Sequence, residues 1–242
     1  SGIFVWGAHF EQVTYQTLPS TYVQTVASAY YGPRFDYDPV TLAPRGLLLE
    51  EQRVNLLLYS AELDNAGWTK AGSTITANAT TSPDGTVNAE KLVENTAVST
   101  QHRVQQAATT VSGTSYTYTI YLKAGERTVV TMRAIGTATI AGCTINLTAG
   151  TISAITGAAT ITNAGNGWYR VSVTGTADST TTTCYANLSD GTSITYTGDG
   201  VSGAFVWGAQ LEAGAFATSY IPTVASTVTR AADDASMTGT NF

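Results

Sequence analysis

With 242 residues, 43% hydrophobic and 12% charged, the chain has enough apolar side chains for a packed core and too few charges for a disordered tail. Its 11 Lys and Arg against 17 Asp and Glu give a net charge of −6, which argues against a nucleic-acid groove, because such a groove needs a basic stripe to displace counterions. No uninterrupted apolar run approaches the roughly 20 residues needed to span a bilayer.

The chain opens with Phe4-Val5-Trp6-Gly7-Ala8-His9-Phe10-Glu11, and the phrase returns as Phe205-Val206-Trp207-Gly208-Ala209-Gln210-Leu211-Glu212. Tyr22-Val23-Gln24-Thr25-Val26-Ala27-Ser28 is likewise answered by Tyr220-Ile221-Pro222-Thr223-Val224-Ala225-Ser226. A repeat at a separation of 201 residues for the Trp pair marks a whole domain rather than a solenoid turn. Residues 1–28 therefore read as the closing strand of a preceding module, or an imitation of it. Too small to make a core alone, they are expected to be ordered only by docking onto the following module or a neighbouring subunit.

Residues 29–53 read as a connector strap. Pro33, Pro39 and Pro44 forbid a continuous helix, Asp38-Pro39 opens a turn within a short hairpin, and Gly46 to Glu50 reads as a strand. Tyr30, Tyr31, Phe35 and Tyr37 are too many aromatics for a solvated linker and call for a neighbouring domain or subunit.

From 54 to 222 short strands alternate with turn signals at the spacing of a sandwich or barrel, and no long segment shows a 3.6-residue period. The chain is predicted to be all-β. Strands are expected at 55–60, 73–77, 89–93, 103–107, 115–123, 128–134, 144–148, 159–162, 168–175, 181–188 and 204–211, with a loop holding Trp68 between the first two. Pro83-Asp84-Gly85-Thr86 makes a turn, since Pro presets φ and Gly accepts a positive one.

Alternation assigns faces. Tyr116, Tyr118, Ile120 and Leu122 form one apolar face, with Thr117, Thr119, Tyr121 and Lys123 opposite. Tyr169, Val171 and Val173 point to the core and Trp168, Arg170 and Ser172 outward, while Thr181, Thr183, Tyr185 and Asn187 form a further outward set. Trp207 shares its parity with Phe205 and Leu211 and is assigned to the scaffold. Cys143 and Cys184 lie at apolar parity, as two buried thiols or as one bridge.

Catalytic chemistry has little to draw on. Only His9 and His102 exist, the first standing where the second repeat has Gln210, the second expected at the surface beside Arg103. No P-loop, HExxH, GxSxG or GxGxxG context appears, and nothing brings two acids to opposite sides of a sugar. Sugar recognition asks for less, namely aromatic faces that stack on sugar rings, flanked by amides or guanidinium groups that bond hydroxyls. Tyr185, Trp168, Tyr121 and Trp68, with Arg170, Asn187 and Gln101 as polar partners, are the candidate ligand-binding residues, and packing against a sheet or subunit is the alternative for each. No catalytic or metal-binding residue and no cofactor is assigned, although the turns Ser189-Asp190-Gly191 and Gly198-Asp199-Gly200 have the oxygen character of a structural Ca²⁺ site.

Pro33-Arg34-Phe35-Asp36-Tyr37-Asp38-Pro39, Arg45-Gly46-Leu47-Leu48-Leu49-Glu50-Glu51-Gln52-Arg53-Val54-Asn55-Leu56-Leu57, Asn65-Ala66-Gly67-Trp68-Thr69-Lys70, Lys123-Ala124-Gly125-Glu126-Arg127, Gly167-Trp168-Tyr169-Arg170 and the Trp-Gly-Ala-Gln-Leu-Glu-Ala-Gly stretch together resemble modules of phage tail-fibre and head-spike fibre proteins. That resemblance, running from Pro33 to Pro222, implies a jelly-roll β-sandwich like those of carbohydrate-binding modules. It also implies adhesion to bacterial surface glycans, other fibre subunits as partners, a homo-oligomer with a trimer favoured, a place on the virion surface outside the cell, and no membrane insertion. Residues 223–242 then read as a linker toward a further module. A structural spacer or oligomerisation module is the alternative function.

Overall fold

The computed structural model describes residues 34–38, 41 and 43–234. The expectations for 1–28, for the first residues of the strap and for the end of the linker lie outside the described residues. Among these residues there are strands and no helix, so the chain is all-β.

The first large sheet consists of β4 (Thr69–Ala71), β7 (Arg103–Thr109), β9 (Val129–Ile135), β10 (Thr139–Asn146), β11 (Thr151–Thr156) and β14 (Thr181–Ser189), in the order β11-β10-β9-β14-β7-β4. The second consists of β5 (Ser73–Thr80), β6 (Ala89–Glu94), β8 (Ser115–Lys123), β12 (Ala158–Gly165), β13 (Trp168–Thr176) and β15 (Gly203–Ala213), in the order β12-β13-β8-β15-β6-β5. All pairings are antiparallel. The chain changes sheet at β7 to β8 to β9 and again at β13 to β14 to β15, which makes a jelly-roll sandwich. Two smaller pairs flank it: β1 (Phe35–Tyr37) with β2 (Pro44–Leu47), the hairpin expected in the strap, and β3 (Arg53–Asn55) with β16 (Val228–Arg230).

The inner faces follow the expected alternation. Tyr118, Ile120 and Leu122 of β8 and Val171 and Val173 of β13 meet Val104, Val130, Met132, Ile145 and Leu188 of the first sheet in one buried core. Cys143 and Cys184 sit in it as free thiols, and burial pushes the Cys143 thiol up to about 12.

Parity reverses inside the repeated phrase. Trp207 pairs with Tyr121 but Gln210 pairs with Thr119, so β15 spends one extra residue there. Gly208 makes the bulge at φ 62°. Ala204 and Val206 before it and Ala209 and Leu211 after it all reach the core, while Phe205 and Trp207 face the opposite side. Trp207 is thus scaffold, as expected, but not on the face of Leu211. A Cβ at Gly208 would stand 3.0 Å from Tyr121 Cδ2 in a left-handed backbone. Gly208→Ala is expected to cost about 1–3 kcal/mol, measured as a lowered urea midpoint with an unchanged m-value.

Residues 55–60 do not form the expected strand. It ends at Asn55, and Tyr59 turns the chain at φ 49°. Side chains replace the missing ladder: Gln106 accepts from Leu58 N at 2.6 Å and donates to Leu58 O, and Trp68 Nε1 donates to Leu58 O and Tyr59 O at 3.0 Å. This frees Leu57 and Leu63 to plug the core.

At the far end of β6, Glu94 is buried and receives Arg127 through two bonds of 2.7 and 2.6 Å, the Tyr196 hydroxyl at 2.6 Å and Asp199 N at 2.9 Å. His102 lies beside this cluster rather than at the surface. It is fully buried, with Nδ1 on Gly72 O, and its ring is 4.6 Å from that of Tyr196. The carbonyls of the β4–β5 turn and the 194–198 segment enclose it, which a reading of His102 as the polar head of a strand could not foresee.

Candidate functional site

A sandwich has two outer faces pointing in opposite directions. The seven sequence candidates divide between them and the core, so they do not form one site.

Trp68 belongs to the core. Trp168, Tyr121 and Arg170 lie on the outer face of the second sheet, as alternation required, but the chain after β15 folds back over Tyr121 and Arg170, and Thr81 between β5 and β6 meets Trp168. Trp168, Trp207 and Ala89 form a second buried cluster with Tyr121, Phe205 and Tyr220 packed against it. The Tyr220 ring packs at a tilt 4.7 Å from that of Trp207, and its hydroxyl meets Ser60 Oγ at 2.5 Å. Trp168 is 1% exposed, its Nε1 donating to Thr81 O, and Arg170 holds Thr218 O while lying 5.6 Å over Tyr121. The expectation that Trp168 offers a solvent-facing platform is corrected: its face is covered.

Two side chains of the repeated phrase fasten this cover. Glu212, fully buried, accepts from Thr218 N at 2.9 Å, Thr218 Oγ1 at 2.6 Å and Gln210 Nε2 at 2.8 Å. Gln210 Oε1 accepts from Ile221 N at 2.7 Å. Beside this cover lies a cavity of about 290 Å³ bounded by Thr160, Arg170 and Phe216.

The outer face of the first sheet is of another kind. Tyr185 of β14 stands directly opposite Arg133 on β9 and Gln105 on β7, and Asn187 stands opposite Thr131 on β9 and Arg103 on β7. Their neighbours Cys184, Ala186 and Leu188 belong to the core, so Tyr185 and Asn187 point away from it. Tyr185 is only 4% exposed, with the Arg103 guanidinium 5.3 Å over its ring, so the expectation of an open aromatic platform is corrected here as well; Arg103 also donates to Gln101 Oε1, which brings Gln101 into the group. Gly142, opposite Arg133 on β10, leaves room for the arginine stem, since a Cβ there would come within 2.9 Å of Arg133 Cγ.

This face is polar and unfinished. Asn187 is fully buried, yet neither Nδ2 nor Oδ1 has a hydrogen-bond partner, and Arg103 Nε and Arg133 Nε are likewise buried without one. Buried polar groups nearly always find partners, and leaving one unmade costs about 1–3 kcal/mol. Tyr185, Asn187 and Gln101 were legible as candidates; Arg103, Arg133, Gln105 and Thr131 were missed. Their own strands show the same alternation, and what was lacking was the order β9-β14-β7 that lines them up.

The two Asp turns are closed by their own backbone. Asp190 Oδ1 accepts from Thr192 N and Ser193 N, and Asp199 accepts from Val201 N, Ser202 N and Ser202 Oγ. Among the described residues no three or more His, Cys, Asp or Glu side chains gather as a metal site would need. Glu90, 2% exposed beside Asp64, is pushed up to about 9 by burial and by that second carboxyl. No described helix is long and apolar enough to cross a membrane.

No family model and no curated protein matches the chain. Among solved structures it is similar to the Clostridium thermocellum N-terminal endo-1,4-β-D-xylanase 10B, its CBM22-1 and GH10 modules complexed with xylohexaose. The identity is 12%, over 72% of this chain and 30% of that chain, with a TM-score of 0.37. The chain thus spans under a third of the length of that solved chain.

Proposed function

We propose that this chain is a non-catalytic glycan-binding module and that the outer face of its first sheet, centred on Tyr185 and Asn187, takes the sugar. The observation that carries the reading is Asn187, whose amide is buried beside an aromatic ring with neither atom satisfied. A sugar hydroxyl both donates and accepts, and is the kind of group such an amide can hold in both directions. Tyr185, buried beneath the Arg103 guanidinium, supports the polar groups of this face from below. The finer reading, adhesion to bacterial surface polysaccharide by a phage-type fibre or spike at the virion surface, rests on the motif resemblance.

The test is affinity electrophoresis and calorimetry of the chain against a panel of bacterial polysaccharides. Tyr185→Ala and Asn187→Ala are expected to weaken binding about tenfold or more. Trp168→Ala is expected to act on the melting temperature instead, because Trp168 is buried. Binding by none of the panel, or equal binding by both face variants, overturns the reading.

One observation favours a second role, as an oligomerising spacer. The β1–β2 hairpin exposes Phe35, Tyr37 and Leu47, each about half accessible, and Leu49 follows. An isolated two-stranded hairpin is marginal without a partner for its apolar face. Light scattering distinguishes the roles: a stable oligomer that Phe35→Ser with Tyr37→Ser dissociates favours the spacer.

A further inference from the structure

We propose that the sugar taken by the Tyr185 face carries an oxyanion, held between Arg103 and Arg133. This rests on the reading of that face as the glycan site and adds the chemical class of its ligand.

The first observation is how the charges are distributed. The chain has 17 acids to 11 bases, yet none of the six strands of the first sheet contains an Asp or Glu. The cations on those strands are Lys70, Arg103 and Arg133. Lys70 is turned away, its ammonium held by the carbonyls of Asp64, Asn65 and Trp68. That leaves two guanidinium groups on a face without a counter-charge of its own, in a protein that is acidic elsewhere.

The second is what the other arginines do. Arg34, Arg45, Arg53, Arg127 and Arg230 each pair with a carboxylate. Among the described residues Arg103 and Arg133 pair with none, and Arg103 holds the neutral Gln101 amide; the unpartnered Nε is shared with Arg53, Arg170 and Arg230, so the missing carboxylate is what sets these two apart. Arg170 also lacks a carboxylate, but it is spent on the cover through Thr218. Guanidinium groups are planar forks suited to carboxylate or phosphate oxygens, and charge-assisted bonds of this kind are about twice as strong as neutral ones.

The third is placement. Arg133 and Arg103 stand on the two strands flanking β14, opposite Tyr185 and Asn187 respectively. Two inter-strand steps and a two-residue offset along the strand separate their backbones by roughly 12 Å, and both side chains are partly exposed. A sugar lying on this face over the partly exposed Arg103, Gln105 and Arg133 would bring an oxyanion substituent toward one guanidinium and a hydroxyl toward Gln105. Carboxylated and phosphorylated sugars share this chemistry.

The experiment measures binding of the full chain to polygalacturonate, to its methyl ester, to a wall teichoic acid and to dextran. Either polyanion is expected to bind at least tenfold more tightly than the neutral probes, with an affinity that falls as salt rises. Arg103→Gln and Arg133→Gln are each expected to remove most of that margin with melting temperatures close to the parent. Preference for polygalacturonate assigns a carboxylate, and preference for the teichoic acid a phosphodiester. If the methyl ester or dextran binds as tightly as both polyanions, the oxyanion is overturned while the glycan reading stands. If no glycan binds, both fall.

Discussion

Asn55→Ala is expected to lower the unfolding free energy by about 3–5 kcal/mol, since it leaves several buried backbone groups unpaired at about 1–3 kcal/mol each. Asn55 is fully buried at the end of β3. Its Nδ2 donates to Ala209 O at 3.2 Å and Ile221 O at 2.9 Å, while Oδ1 accepts from Leu57 N at 3.1 Å and Leu211 N at 3.2 Å. One amide therefore joins the turn after β3, the strand just past its bulge and the cover over Trp207. Asp at this position keeps the acceptor but presents a second oxygen to two carbonyls, so Asn55→Asp is expected to rescue nothing. Urea unfolding followed by tryptophan fluorescence reads both, and a loss under 1 kcal/mol for the alanine variant would contradict this role.

The second large effect is expected at Glu94. Removing one partner of a buried ion pair costs about 3–5 kcal/mol, and Glu94→Ala should fall toward the lower end because Arg127 keeps 22% of its side chain exposed. Burial alone would raise the Glu94 carboxyl, but the Arg127 and Tyr196 hydrogen bonds outweigh it and hold the group below the ordinary carboxylate range. A carboxyl lowered on folding stabilises the native state above its unfolded value of about 4.5. That contribution is lost as pH falls through the lower folded value. The parent protein should thus lose stability in mild acid more steeply than Glu94→Gln, whose side chain does not titrate. Parallel acid profiles for the two would remove Glu94 as the cause.

The all-β class and the inner faces were legible because alternation is a local property. Tyr118, Ile120 and Leu122 had to share a side, and Val171 and Val173 had to share theirs. What escaped depended on contacts distant in sequence. Trp168 does point away from the core, but nothing local says that Thr81 will meet its Nε1 or that Tyr220 returns to the cluster it shares with Trp207. Gly208 shows the other limit: one residue in the left-handed region reverses parity within a single strand, and the pattern reads straight through it. The candidate face was half legible, since Tyr185 and Asn187 follow from β14 alone. Arg103 and Arg133 join them only through the pairings Asn187↔Arg103 and Tyr185↔Arg133, 84 and 52 residues apart in the chain.

The pairing of β3 with β16 also has a mechanical side. Arg53 lies opposite Arg230, and just outside that pair Asp233 N donates to Glu50 O. The chain therefore enters and leaves the sandwich at one corner through antiparallel partners. A pull on both sides acts at this corner and opens the pair one hydrogen bond at a time, the weak direction of a two-stranded ribbon. It stops where Asn55 is anchored to Ala209, Ile221 and Leu211. Tension would extend the strap and tail first, while the two large sheets and the Tyr185 face stay folded.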